Sequence, residues 1–494
     1  MSGTESKTQQ VQSQAEQVKE KTVVTKITSL FLNQKQLYNL NDLPDTLRVL
    51  HAKMNFISDI SPIALLKNLY SLNLSNNKIV NLKPLENLPN MQILNLSNNN
   101  ISDISQIQHC HKLTDLFVAK NYLNSIDGIQ YLNELIRLDI SNNILQDIQV
   151  LSKVSKLIDL NLQGNKITTT VPLGSLKNLL KLNINDNPIE ILSLINLVDL
   201  EHLHMRSTNQ NLNDLQHLYK LQNLDISNNG LKSIEIINNL TNLEVINISG
   251  NQIENIDLNH LKELKSLDAG LNDISQLSNF CIPQLSCLNF DYTQIRVQQL
   301  YKQIYTQKIT YLSLIGIPLQ YQDLYTISQL TNLTYLNLKE CKIKRIDVLT
   351  LSQQSETKKK RNLISLKCLD VSFNEIKNVD SLSKLVNLTH LNISNNQIKR
   401  ISKLSKLIHL KSFFVFNNDI MDSVDFLSGN LRQEAIQATF YTSIMEKYRN
   451  NKVISKWYMH KKVLDSKVKI MQSQILYMYN LMNKLIKRNC ADTQ

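Results

Sequence analysis

The apolar positions of this chain recur in one frame, L-x-x-L-x-L-x-x-N-x-L/I. The octamer LNLSNNKI fills residues 72–79. LNLSNNNI, LDISNNIL, LDISNNGL and LNISNNQI follow at 94–101, 138–145, 224–231 and 391–398. Anchored on its asparagine, the frame places Asn55, Asn77, Asn99, Asn121, Asn143, Asn165 and Asn187 at steps of 22 residues. It returns at Asn229, Asn251, Asn272, Asn374, Asn396 and Asn418. Degenerate copies put Lys35, Thr208, Thr293, Ile317 or Cys341 at the asparagine position. About eighteen copies fill residues 23–430.

The L-x-L step alternates, so its leucines share one face of a short strand. Each strand is expected to pair with those of adjacent copies in a parallel sheet. The asparagine then leaves the strand, where its amide can satisfy backbone groups of the turn and form a ladder through the stack. The remainder of each copy, such as VNLKPLENLPN (80–90), returns along the outer side with its own inward leucines. One copy cannot bury its apolar face alone, whereas a stack buries a continuous core. The spacing stretches to 24 residues at Ile317 and at Cys341, and to 33 before Asn374. The surplus, SQQSETKKKRN (352–362), reads as a basic loop bulging from the stack. It is either a tolerated insertion or a docking or localisation loop.

These residues resemble the leucine-rich repeat family. The 22-residue length and the second half I-x-x-L/I-x-x-L-x-x-L, as in ISDISPIALLKNL (57–69), are similar to its short intracellular class. That class includes the leucine-rich-repeat regulator of protein phosphatase 1, and bacterial internalins use similar repeats. The resemblance implies an α/β repeat fold, a curved horseshoe with the parallel sheet on its concave side. It also implies a non-catalytic scaffold that presents this face to a protein, such as a phosphatase catalytic subunit or a cytoskeletal or ciliary assembly.

Charge divides the chain. Residues 431–494 hold 12 Lys/Arg and 4 Asp/Glu, a net +8, against +4 for the other 430 residues. This basic segment has no Gly or Pro and reads as helical. Leu464, Val468, Met471, Ile475, Met478, Met482 and Leu485 step by 4 and 3 residues, three heptads of a coiled-coil seam. It can cap the stack, pair with a partner helix or with itself through 464–485, or bind an acidic partner such as calmodulin, RNA or an anionic membrane. Nucleic acid is disfavoured, because no RNA-binding signature accompanies the charge. Residues 1–22 are polar and Gln-rich and read as a disordered tail without an apolar signal. No run of about 18 apolar residues predicts a membrane span, and six scattered cysteines predict reduced thiols. The cytoplasm or nucleus is the expected location.

On the expected concave face, one column runs Asn73, Asn95, Phe117, Asp139, Asn161, Asn183 and on through Asn392, mostly Asn or Asp. Departures from it are candidate binding residues. His202, His204 and Arg206 in EHLHMRS share one strand face by alternation. They form a polar patch or a partner-binding cluster; a metal would need a third ligand. Tyr311 and Tyr335 hold equivalent positions in successive copies, with Phe290 and Tyr292 near, and tyrosine buries much area at low entropy cost. Phe414 and Phe416 flank core Val415 on the last strand, as contacts for a covering element. Catalytic motifs are missing: there is no phosphate loop, no nucleophile elbow and no metal-ligand spacing. No enzyme activity and no cofactor are expected.

Overall fold

The computed structural model describes residues 27–420 except 209–211, 279, 301–307 and 351–362. The polar tail 1–22, the insertion loop 352–362 and segment 431–494 with its heptad seam lie outside the described residues. The chain forms two compact units that meet in sequence at Leu197 and Val198.

In the first unit, eight three-residue strands follow one another: β1 (Ser29–Phe31), β2 (Val49–His51), β3 (Ser71–Asn73), β4 (Ile93–Asn95), β5 (Asp115–Phe117), β6 (Arg137–Asp139), β7 (Asp159–Asn161) and β8 (Lys181–Asn183). Each pairs in parallel with the next. The register sets the central leucines opposite one another, as in Leu50, Leu72 and Leu94. The second unit continues with β9 (His202–His204), β10 (Asn223–Asp225), β11 (Val245–Asn247), β12 (Asn255–Ile256), β13 (Ser266–Asp268), β14 (Gln276–Leu277), β15 (Cys287–Asn289), β16 (Tyr311–Ser313), β17 (Tyr335–Asn337), β18 (Cys368–Asp370), β19 (His390–Asn392) and β20 (Ser412–Phe414). Ten of these form the same kind of parallel array, while β12 and β14 pair with each other. Together the two units carry eighteen main-sheet strands, one for each copy of the frame.

Burial follows the frame. Leu72 and Leu74 are 1% and 0% exposed. In the return segment Ile57, Ile60, Ile63, Leu66 and Leu69 are all buried. Their spacing of three matches the 3-10 helix, whose i and i+3 side chains eclipse. Accordingly Ser61–Leu65 is a 3-10 turn, and so are Lys83–Asn87, Gln149–Lys153 and their equivalents. The 24-residue copy has room for more. There Tyr321–Ser328 forms the α-helix α1, opened by a capping box in which Gln320 N–H donates to Asp323 Oδ2 at 2.8 Å.

The asparagine ladder is present. Asn99 Oδ1 accepts the Ile79 N–H at 3.0 Å, and its Nδ2 donates to Leu74 O at 3.1 Å and Leu96 O at 2.8 Å. Asn121, Asn143, Asn165 and Asn187 repeat the pattern in the first unit. Asn251, Asn272, Asn374, Asn396 and Asn418 repeat it in the second. The degenerate positions keep part of it. Thr208 and Thr293 donate their hydroxyls to the carbonyl three residues back, at 3.0 and 2.7 Å. Cys341 Sγ lies 3.0 Å from Leu314 O, and burial pushes its thiol up to about 12, which keeps it a donor. In every copy the residue before the ladder position has positive φ, from Gln34 at 58° to Asn417 at 55°. That is why S-N-N and S-G-N recur: Asn and Gly tolerate the left-handed region best.

Candidate partner-binding faces

The third residue of each strand explains the Asn/Asp column. Asn73 Oδ1 accepts both the N–H and the hydroxyl of Ser75, at 3.1 and 2.8 Å. Asn95, Asp139, Asn161 and Asn183 cap the residue two ahead in the same way. So do Asp225, Asn247, Asn289, Asn337, Asp370 and Asn392. The column is Asx-turn chemistry that closes the strand.

One departure from the column is compensated. β16 has Ser313 where an Asx would cap Ile315. Instead Asp291, from the preceding copy, accepts the Ile315 N–H at 2.7 Å and the Ser313 hydroxyl at 2.6 Å. Burial raises the Asp291 carboxyl to about 6, against the pull of these bonds and with a further push from Asp268.

The predicted residues fall as follows. His202 and His204 are half-buried on β9, and Arg206 is exposed two residues beyond its end. His204 sits opposite Asp225 in register. Burial lowers its pKa, and Asp225 opposes that shift. Among the described residues no group of three or more His, Cys, Asp or Glu is placed to hold a metal ion. Tyr311 and Tyr335 stack face to face, with ring centroids 4.3 Å apart and planes 5° apart. Phe290 does not join them. It is fully buried and packs on Phe280 at 6.0 Å, because it falls on the inward step of its strand. Tyr292 instead lies on the left-handed turn, where its hydroxyl donates to Glu340 Oε2 at 3.0 Å. Phe414 and Phe416 are half-buried, whereas Phe413 and Val415 are core.

On the first unit's face the sequence reading missed a feature. The first strand positions of β5 to β8 are Asp115, Arg137, Asp159 and Lys181, alternating in sign across four successive copies. Arg137 is paired with buried Asp115, and both Asp115 and Asp159 hold its pKa up. Ile136 and Ile158, just before β6 and β7, are each 37% exposed, as is Ile93 on β4. The signal was visible as a second column at the 22-residue spacing.

The second unit's face carries charges of both signs. The copies of β9 to β15 present Glu201, Asp225, Glu244, Asp268 and Asp291. The same copies present exposed Arg206 and also Lys265, which is paired with Glu244 at 2.7 Å. The copies of β17 to β20 present Lys339, Lys367 and Lys411 together with Glu340 and Asp370, and Lys339 is paired with Glu340 at 3.3 Å. The tyrosine pair stands at the boundary between the two halves.

On the outer side, Ser275–Ser278, Gln294, Arg296 and Gln299 line a polar cleft without a carboxylate or histidine, so it offers no acid–base pair. Cys110, Cys287 and Cys341 are buried free thiols, and Cys281 and Cys368 are partly so. Among the described residues no helix is long and apolar enough to cross a membrane.

Two models of leucine-rich repeats match the chain. One matches residues 67–123, and a two-copy model matches 219–260, 364–406 and 386–429. No curated protein sequence matches. Among solved structures, a leucine-rich-repeat protein of Leptospira interrogans is 23% identical, with a TM-score of 0.56 over 80% of this chain and 95% of that one. The ectodomain of the Arabidopsis receptor kinase HAESA, solved with a peptide hormone ligand, is 20% identical. Its TM-score is 0.51 over 79% of this chain and 74% of that one. These likenesses are of fold. With one strand per copy, an asparagine ladder through the stack and matches to the repeat models in both units, the chain carries leucine-rich repeats.

Proposed function

We propose that the chain is a non-catalytic scaffold that binds a protein partner on its strand faces. The Tyr311–Tyr335 stack carries this reading. Both rings occupy the first strand position, which the turn does not consume, and both are held rigidly by each other. Rigid aromatic anchors surrounded by polar residues are the usual centre of a protein interface. His202, His204 and Arg206 on β9 and its continuation supply further contacts on the same unit's face. An interface of roughly 800 Å² per partner fits on such a sheet. The resemblance of the repeats suggests a phosphatase catalytic subunit or a cytoskeletal or ciliary assembly as partner.

The test is affinity capture with the full chain and its Tyr311→Ala, Tyr335→Ala and Arg206→Ala variants, with folding checked by circular dichroism. A control substitution is Tyr219→Ala on the return side, where Tyr219 is exposed. A partner lost with the tyrosine variants and kept with the control supports the reading. A partner indifferent to every strand-face substitution overturns it. Recognition of an acidic partner by residues 431–494 is the competing reading. It predicts affinity that falls steeply with salt, whereas a tyrosine-anchored contact is far less sensitive.

A further inference from the structure

We infer that the second unit carries another docking edge, where the copies of Cys341, Asn374 and Asn396 leave the ladder, and that its occupant is an acidic α-helix of a protein partner. The edge is separate from the strand face, so the inference goes beyond the reading above.

Alternation builds the edge. The second and fifth residues after each ladder position are buried: Ile343 and Ile346, Ile376 and Val379, Ile398 and Ile401. The first, third and fourth point away from that core. The copies are in register here, because the Glu375 N–H donates to Ile343 O at 2.9 Å and the Gln397 N–H to Ile376 O at 3.0 Å. Equivalent residues of neighbouring copies therefore lie roughly 4.8 Å apart. One such column is Lys344, Lys377 and Lys399, all exposed.

The edge is basic with every charge counted. Residues 342–350 hold Lys342, Lys344 and Arg345 against Asp347. Residues 375–384 hold Lys377 and Lys384 against Glu375 and Asp380, and residues 397–406 hold Lys399, Arg400, Lys403 and Lys406 without an acid. The net is +6, or +5 with Asp419 at the start of the next copy. The six equivalent stretches from 56–65 to 166–175 sum to −1. Lys339 and Glu340, in the adjoining turn, are paired with each other. The three carboxylates of the edge are also taken: Glu375 by Lys344 at 3.8 Å, Asp347 by Arg345 at 3.1 Å and Asp380 by Lys403 at 2.7 Å. Lys342, Lys377, Lys399 and Arg400 have no ion pair among the described residues.

The fold gains nothing from two of these cations. In eight copies the fourth residue after the ladder position accepts the N–H two ahead through a side-chain oxygen, as Asp59, Asp103, Asp147 and Asn378 do. Arg345 and Arg400 hold that position in their copies. A guanidinium has no acceptor, so the cap from this side chain is given up there for an exposed positive charge.

Spacing selects the partner. Residues three or four apart on an α-helix rise about 4.5–6 Å, so a helix lying across the copies sets one carboxylate of a single face against each. Nucleic acid suits the edge less well. Tyr321 and Phe373, the rings beside it, are already covered by Arg345 and Lys339, which leaves no platform for base stacking.

The test uses the full chain and a helical alanine-rich peptide that bears glutamates at three- and four-residue steps on one face and a central photo-reactive diazirine. Cross-links are expected on residues 342–350, 375–384 and 397–406. The exposed-residue variant Lys377→Glu with Lys399→Glu and Arg400→Glu should cut them several-fold with an unchanged circular dichroism spectrum. Should that variant misfold, Lys399→Gln alone should still lower them. Lys232→Glu, at the equivalent exposed position after Asn229, should leave them unchanged. A peptide of the same composition with its glutamates spread around the helix should cross-link several-fold less. Cross-links that are absent, confined to other residues, indifferent to the charge reversal or equal for the two peptides would each overturn the inference. So would stronger displacement, at equal charge, by single-stranded RNA or by phosphatidylserine vesicles. Tyr311 and Tyr335 are not part of this edge, so failure here leaves the strand-face reading standing.

Discussion

Asn99 Nδ2 donates to the carbonyl of Leu74, 25 residues earlier, at 3.1 Å. The bond crosses from one repeat to the one before, so each ladder asparagine binds two layers of the stack.

Replacing Asn99 by alanine strands the Ile79 N–H in the core and takes one of two donors from the Leu74 and Leu96 carbonyls, which keep the amides of Asn77 and Asn121. Each buried group left without a partner costs about 1–3 kcal/mol. Asn99→Ala is expected to lower the unfolding free energy by about 2–4 kcal/mol in urea titration. Asn418→Ala, at a part-buried rung, should cost less. Equal effects at the two sites would contradict the ladder as a buried network.

Leu271 sits at φ 56° with its side chain 58% exposed. Nine of the eighteen copies have asparagine or glycine at this position. A branched residue there bears about 1–2 kcal/mol of steric cost that asparagine partly escapes. Leu271→Asn should therefore stabilise the second unit by about 0.5–1 kcal/mol, read as a higher urea midpoint at unchanged slope.

Tyr292 lies across Gly316 to reach Glu340 in the second copy onward. A Cβ on Gly316 would overlap the Tyr292 ring, and the φ of 75° disfavours any side chain. Gly316→Ala is expected to destabilise by about 1–3 kcal/mol. In Tyr292→Ala the ring is absent, so Gly316→Ala should cost less than in the native chain. A double-mutant cycle measures that difference.

The raised carboxyl of Asp291 gives a pH dependence of defined sign. Its folded pKa of about 6 lies above its ordinary value, so between those values the folded chain binds the proton more tightly than the unfolded chain. The contribution of this group is greatest in acid and declines as pH rises through about 6. Asp291→Asn keeps an acceptor oxygen and cannot ionise. The stability difference, native minus variant, should fall between pH 4 and pH 7, measured by thermal unfolding at each pH. A flat difference would exclude the buried carboxylate.

Much of this structure was legible in the repeat frame. Leucine at the two inward steps dictates the strand, and the spacing of three in the return half dictates 3-10 turns. The asparagine ladder follows from one amide having both donor and acceptor. The candidate site was less legible. Tyr311 and Tyr335 could be placed in one column from spacing alone, but their ring stacking depends on side-chain rotamers across two strands. Phe290 was misplaced, because its nearness to Tyr292 in sequence hides an inward step. The Asp115–Arg137–Asp159–Lys181 run stood in the sequence as a column but gained meaning only once β5 to β8 were set in register.

By itself the sequence determined the leucine-rich repeat, the number of main-sheet strands and the identity of the core, because a repeat of fixed period tells each residue its layer. Only the tertiary structure decided which polar residues are spent on the fold. The Asn/Asp column looks like a recognition surface in one dimension. In three dimensions its oxygens cap their own turns, and Asp291 serves the next copy. The residues left for a partner are those the backbone does not need, and hydrogen bonds between layers, which no single repeat reveals, set that division.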